Sequence, residues 1–278
     1  MRGMRKRRKI WAAALSAVLV PQIGLAAELA VTKAPSQPAY DWTIIVGAEA
    51  RVEPLFMGSN RDVVRPFPIF DVRAFGTPER FRGPLDGVDY ALLEEGHLRV
   101  GPVAQLKPGR REHDSAALQG LGDIPWAVEA GAFAEYWWVP WLRTRTEVRQ
   151  GINGHHGAVS DVVTDAVIPL GSQLTLSAGP RISFASAGAT RPYFGITAAQ
   201  SAASGLPIFD PKGGVRWYGA GTQARYRWTA EWAMHAFIEY ERLAGDTANS
   251  PLVEQRGSVN QKTIGFGVTR SIDIKTFW

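Results

Sequence analysis

The feature that most constrains this chain is a two-residue alternation sustained over long stretches. In residues 41–51 one set of alternate positions holds Trp42, Ile44, Val46, Ala48 and Ala50, and the other holds Thr43, Gly47, Glu49 and Arg51. Successive side chains of a strand point to opposite faces, so this segment has one apolar and one polar face. The pattern returns in Leu98, Val100, Pro102, Ala104 and Leu106 against Arg99, Gly101, Gln105 and Lys107. It returns in Leu174, Leu176, Ala178, Ile182 and Phe184 against Thr175, Ser177, Gly179, Arg181 and Ser183, and in Trp232, Met234, Ala236, Ile238 and Tyr240 against Glu231, His235, Glu239 and Glu241. Ordinary strands run about 5–6 residues, whereas a strand tilted across a bilayer takes about 9–11.

The alternation marks about twelve segments, with roughly 10 to 14 as the range. They lie near 41–51, 63–75, 80–94, 97–107, 126–138, 141–151, 159–169, 172–185, 191–201, 214–228, 231–243 and 261–278. In 80–94, Gly83-Pro84 and Asp86-Gly87 sit inside the strand and can form a turn instead. A soluble β-sandwich also alternates, so the ends of the apolar faces decide. Those ends carry Trp42, Tyr136, Trp138, Tyr218, Tyr226, Trp228, Trp232 and Tyr240. Aromatic girdles at both interfaces of a bilayer place such residues there. The expectation is an all-β fold, a closed antiparallel transmembrane β-barrel over residues 41–278.

Residues 1–27 read as a cleaved signal peptide. Arg2, Arg5, Lys6, Arg7, Arg8 and Lys9 precede the apolar run 10–20, and small residues surround Gly24-Leu25-Ala26-Ala27. Pro21 and Gln22 interrupt the run short of the ~20 residues of a spanning helix. Residues 28–40, with Pro35 and Pro38, form a short periplasmic leader. The signal carries six of the 31 basic residues and none of the 26 acidic ones. The high isoelectric point therefore belongs to the signal, and no basic excess is left to neutralise nucleic-acid phosphates. The absence of cysteine excludes disulfides, thiol catalysis and thiolate metal sites.

The polar faces give the candidate lumen lining. In the hairpin 126–151, Glu129 and Glu135 face the same side as Arg143, Arg145, Glu147 and Arg149. Asp71, Arg73, Arg99, Asp161, Asp165, Arg181, Arg225, Arg227, Glu231, His235, Glu239 and Glu241 continue this mixed lining. Opposed charges on neighbouring strands hold such an interior together, and a solute path uses the same residue types. With both termini periplasmic, 52–62, 202–213 and 244–260 fall outside the cell. The long segment 108–125 then falls inside, unless the count near Gly83-Pro84 is off by one strand.

Catalysis is the rival reading. Of five histidines, His155-His156 lies between Gly154 and Gly157 as a turn, and His97 and His113 flank loop positions. His235 shares a face with Glu231 and Glu239, and a Glu–His pair can orient a base. No nucleophile-elbow serine accompanies it. The reading is therefore non-enzymatic, with no cofactor and no metal. The chain ends on Phe277-Trp278, which suits a terminal strand recognised by a barrel-assembly machinery.

Several stretches resemble the MipA/OmpV outer-membrane proteins. They are Tyr193-Phe194-Gly195-Ile196, similar to an aromatic-aromatic-Gly-aliphatic strand, and Glu241-Arg242-Leu243-Ala244-Gly245-Asp246 followed by Ser250-Pro251-Leu252-Val253. Gly109-Arg110 with 118–123, and the strand entry Gly213-Gly214, add to these. Trp278 stands where the family more often ends in phenylalanine. The resemblance implies a location in the bacterial outer membrane, among lipid. It also implies a scaffold that joins a lytic transglycosylase to a penicillin-binding protein, while other members are linked to adhesion or solute passage. A small-solute channel is the alternative.

Overall fold

The structure, a computed structural model, describes residues 40–275; the signal segment, most of the leader and Phe277-Trp278 lie outside the described residues. Twelve strands form one sheet: β1 (Trp42–Pro54), β2 (Asp62–Ala74), β3 (Val88–Asp89), β4 (Leu93–Glu95), β5 (Leu98–Lys107), β6 (Ala127–Val139), β7 (Leu142–Asn153), β8 (Ala158–Leu170), β9 (Leu174–Ser186), β10 (Gly213–Arg227), β11 (Trp232–Leu243) and β12 (Asn260–Ile274). Four short helices join them: α1 (Ala187–Phe194), α2 (Ala198–Ser204), α3 (Gly245–Ala248) and α4 (Pro251–Arg256). The strands pair antiparallel in the order β2-β1-β12-β11-β10-β9-β8-β7-β6-β5-β3, with β4 also on β5. The first and last long strands therefore meet, Trp42 opposite Ile274 and Val52 opposite Ile264. All strands except β3 and β4 run 10 to 15 residues, the length that crosses a bilayer at a tilt.

Burial along these strands is inverted relative to a soluble protein. Outward positions are apolar and exposed, as with Val64, Phe70, Leu106, Val148, Ile168, Ile238, Ile264 and Phe266. Inward positions are charged and buried, including Glu129, Arg143, Arg145, Arg149, Asp165 and Glu239. Water would reverse this arrangement, because exposed aliphatic surface and desolvated charge are both unfavourable there. A hydrocarbon surround makes the outer face neutral, and this polarity separates a membrane barrel from a sandwich. Among the described residues no helix is long and apolar enough to cross a membrane.

The aromatic positions collect at the two ends of the outer face. Trp42, Tyr136, Trp138, Tyr226, Trp228 and Trp232 are exposed near the end that carries the tight turns, where Trp228 and Trp232 stack at 6.1 Å and Tyr136 meets Trp138 at 4.9 Å. Tyr218 and Tyr240 are exposed near the opposite end.

The ladder has one seam. Nothing among the described residues pairs with the outer edge of β2, and only the short β3 and β4 pair with the far edge of β5. The cause is in the sequence. Pro66 and Pro68 sit opposite Ala50 and Ala48 in an unbroken register with β1, so both missing N–H groups fall on the edge away from β1. Where the alternation predicts a closed ladder, the hydrogen bonding stops between β2 and β3.

Two predicted strands differ. Residues 80–94 are not one strand: Gly83-Pro84 and Asp86-Gly87 divide them, and only Val88–Asp89 and Leu93–Glu95 pair with β5. Residues 191–201 are not a strand: 191–194 end α1, Ile196 makes an isolated bridge to Phe209, and 198–201 begin α2. Their Ala/Ser-rich half has high helix propensity. Thr197 caps α2 by accepting the Gln200 N–H, Gln200 returns the contact as a capping box, and Gly205 ends the helix in the left-handed region at φ 76°.

Losing 191–201 as a strand, and reading 80–94 as a broken edge, also corrects the placement of 108–125. The connections 55–61, 108–126, 154–157, 187–212 and 244–259 all leave the same end of the sheet. At that end the apolar side chains that face inward find each other. Phe56, Leu118, Leu121, Ile196, Leu206 and Leu252 form one buried cluster, and Phe194, Trp217, Leu243 and Val253 form a second. Six of these come from stretches that carry the family resemblance at 118–123, 193–196 and 250–253, and they are the core of a cap over the barrel mouth. Two single turns of 3-10 helix, Glu112–Asp114 and Ala116–Leu118, shape the 108–126 connection. The Glu112 carboxylate fixes it by accepting the N–H groups of Gly120 at 2.6 Å and Gly122 at 3.2 Å.

Candidate functional site

The interior is organised by arginines. Arg143 on β7 is fully buried and pairs with Asp86 at 2.6 Å, Glu135 at 3.1 Å and Asp165 at 3.3 Å. Arg145 reaches Asp89 and Glu147, each at 2.8 Å, and Glu135 at 3.3 Å. Arg149 holds Glu129 at 3.0 Å and also pairs with Glu147 and Asp161. Arg181 links Asp165 at 2.9 Å to Glu239 at 3.3 Å, and Arg99 joins Glu135 at 3.1 Å. Planar guanidinium groups suit this role because each presents several donors in a fixed fork. The result is a lattice in which each of these buried charges has an opposite neighbour, the condition under which buried ions are tolerated.

A segment between β2 and β3 completes the lattice from within. Residues 75–87 leave the turn end and run along the inner wall. Glu79 pairs with Arg225 of β10, Phe81 lies edge-on to Trp137 at 6.4 Å and takes Arg143 over its ring at 5.1 Å. Leu85 then packs against the second cap cluster. The chain turns at Asp86-Gly87, where the Gly87 N–H donates to Glu147 at 3.1 Å, and returns along the edge of β5. Burial alone would push the Asp86 carboxyl up; the guanidinium groups of Arg143 and Arg145 and the Gly83 N–H outweigh it and hold it below the usual carboxylate range.

The two buried histidines, His155 and His235, are held by carboxylates that the alternation did not assign to them. His235 bonds to Glu49 of β1 at 2.5 Å, two strands away, not to Glu231 or Glu239. It reaches Glu49 by lying over Gly267 of β12, where a Cβ would overlap its ring. In the same way Glu239 reaches Arg181 by lying over Gly221 of β10. Gly267→Ala is therefore expected to destabilise the barrel by about 1–3 kcal/mol by overpacking. The cost should largely vanish in a His235→Ala background, which a double-mutant cycle of urea midpoints reads directly. His155 is buried beside Glu129 at 3.1 Å and packs on Tyr193.

Other positions depart from the expected lining. Arg227 is exposed and donates to the Ser172 carbonyl at the turn end. Glu231 is exposed on the turn before β11, paired with Arg270. Both keep the inward parity, but Arg227 is the last residue of β10 and Glu231 precedes β11, so both sit at the rim of the wall. Asp71 and Arg73 are half-buried on the inner side of β2 beside the seam. Alternation alone missed Glu49, although it sits on the polar face of the first strand. It could not reveal Asp86 and Asp89, which lie outside the long strands. Arg216 points inward because a bulge between Val215 and Trp217 adds a residue to β10; both Arg216 and Trp217 are buried.

Between the lattice and the cap lies a cavity of about 220 Å³. It is lined from β1, β2, β5, β6, β8, β10, β11 and β12, so the wall curls around it even though the ladder is open at the seam.

The family profile described as MltA-interacting protein MipA matches residues 46–272. No curated protein matches the chain in sequence. Among solved structures, the NanC porin is similar at 9% identity over 83% of this chain and 100% of that one, with a TM-score of 0.41. An outer-membrane channel from Pseudomonas putida is similar at 11% identity over 85% and 97%, with a TM-score of 0.42. The family match runs from the middle of β1 to the end of β12 and so takes in the wall, the inserted segment and the cap together; this chain belongs to the MltA-interacting protein MipA family.

Proposed function

We propose that this protein is a non-conducting, non-enzymatic scaffold of the outer membrane that docks murein-processing enzymes, reached after signal-peptide export and cleavage near Ala26-Ala27. The observation that supports it is the filled interior. The segment 75–87 and the arginine lattice occupy the middle of the lumen, where a channel needs a continuous wet path. The family's name adds the partner class, since an MltA-interacting protein engages a murein enzyme. The two buried histidines each hydrogen-bond a carboxylate inside the wall, His155 to Glu129 and His235 to Glu49.

Two measurements test the reading. Purified protein in a planar bilayer is expected to remain silent, and steady salt-dependent conductance would replace the scaffold by the small-solute channel. Tagged protein from solubilised envelopes is expected to recover a lytic transglycosylase or a penicillin-binding protein above background. Recovery of neither would remove the scaffold role.

A further inference from the structure

The cavity beneath the cap has polar groups that its own walls leave unused. Most charges around it are already matched: Arg65 with Glu53 at 3.0 Å, Arg216 with Asp161 at 3.3 Å, and Glu129 with Arg149 and His155. Lys107, Arg110 and Glu241 line the same cavity and have no ion-pair partner among the described residues. Arg110 is buried at 6% exposure; its Nη1 donates to the Tyr193 carbonyl at 2.9 Å, and its Nε has no partner. The Tyr193 hydroxyl is also buried and without a partner. Burial pushes the Arg110 guanidinium down to about 10 and the Tyr193 phenol up. Unmatched buried donors of this kind are uncommon in folded proteins, because each one forfeits the hydrogen bonds it made in water.

Apolar lining comes from Pro54, Leu55, Phe56 and Met57 together with Val159 and Ala189. Two unmatched cations against one unmatched carboxylate leave a single positive charge. A zwitterion or a neutral solute would leave that charge in place, and only an anion both neutralises it and accepts from the unmatched donors. We propose that this cavity is a binding site for a small amphipathic monocarboxylate, whose head group meets Lys107, Arg110 and the Tyr193 hydroxyl while its tail lies against Phe56 and Met57. The site faces the loop end, with Pro108 and Gly109 at its exposed margin, and it stands independently of the scaffold reading.

Titration calorimetry on the full barrel in a nonionic detergent tests this, with hexanoate as the probe and hexanol and hexylamine as neutral and cationic counterparts. Hexanoate is expected to bind saturably at one site per chain, at least about ten-fold more tightly than either counterpart, the worth of one charge-assisted hydrogen bond. Lys107→Gln removes a charge near Glu129, which keeps its pairs with Arg149 and His155, so the variant should keep the heat-modifiable gel shift of the folded barrel and lose affinity by about the same factor. Arg110→Lys, which retains the charge but not the fork, should weaken binding less. Absence of saturable hexanoate binding to folded protein would overturn the proposal. So would equal binding of hexanol, or unchanged affinity in the folded Lys107→Gln variant.

Discussion

Replacing Arg143 by methionine is expected to lower the stability of the folded barrel by about 3–5 kcal/mol, the cost of removing one partner from a buried ionic cluster. Methionine fills much of the same volume, so the loss is not mainly a cavity. It arises because Asp86, Glu135 and Asp165 all converge on this one guanidinium, and their other neighbours are already shared. Asp165 would keep only Arg181, and Asp86 would keep Arg145 at 3.7 Å and the Gly83 N–H. Arg143→Lys should recover part of the loss, since an ammonium supplies charge but cannot address three carboxylates in one plane. Urea midpoints followed by tryptophan fluorescence in detergent would give the ranking wild type, lysine, methionine. A methionine variant as stable as wild type would mean that the carboxylates are solvated and the lattice contributes nothing.

Leu252→Ala should act at the other end of the molecule and by a different force. Leu252 is 1% exposed and packs with Phe56, Leu118, Leu121, Ile196 and Leu206, so its loss is expected to cost the cap about 2–5 kcal/mol through transfer and cavity terms. None of these six residues belongs to the long ladders except through the chain ends they continue. The strands should therefore stay paired while the connections open. Limited proteolysis is expected to cut within 108–126 and 244–259 in the variant, with the heat-modifiable shift unchanged. Loss of that shift together with proteolysis would show that cap and wall fold as one cooperative unit.

These two substitutions also mark what could be read in the sequence. The wall is legible because its surroundings favour apolar residues at outward positions over ten residues or more, as at Ile238 and Tyr240 on β11 and Ile264 and Phe266 on β12, while hydroxyls such as Thr144 and Thr146 are tolerated there. Arg143, Arg145 and Arg149 followed from the same parity. What parity cannot show is anything that leaves the strand. Asp86 reaches the lattice from an irregular segment, Arg216 is turned inward by an extra residue, and Glu49 meets His235 only because Gly267 opens a path across the intervening strand. The cap was misread at 191–201 for a related reason. Its apolar residues are spaced for a helix and a loop, and alternation counted over a short Ala/Ser-rich stretch gives a false strand, although Thr197, Gln200 and Gly205 were a legible start and stop.

The seam at β2 bears on the order in which the molecule can be put together. By main-chain pairing β2 touches only β1, and β1 is joined to the remaining sheet only by β12. The first two described strands are thus anchored by the last one described, across a sequence separation that spans nearly the whole described chain. Contacts of such long range form late, because the loop they close is entropically costly until everything between is in place. Pairing from β3 to β11 can proceed without β12, yet the hairpin of β1 and β2 remains a loose end until β12 joins β1. Arrest there would leave an otherwise formed wall whose first two strands are unanchored.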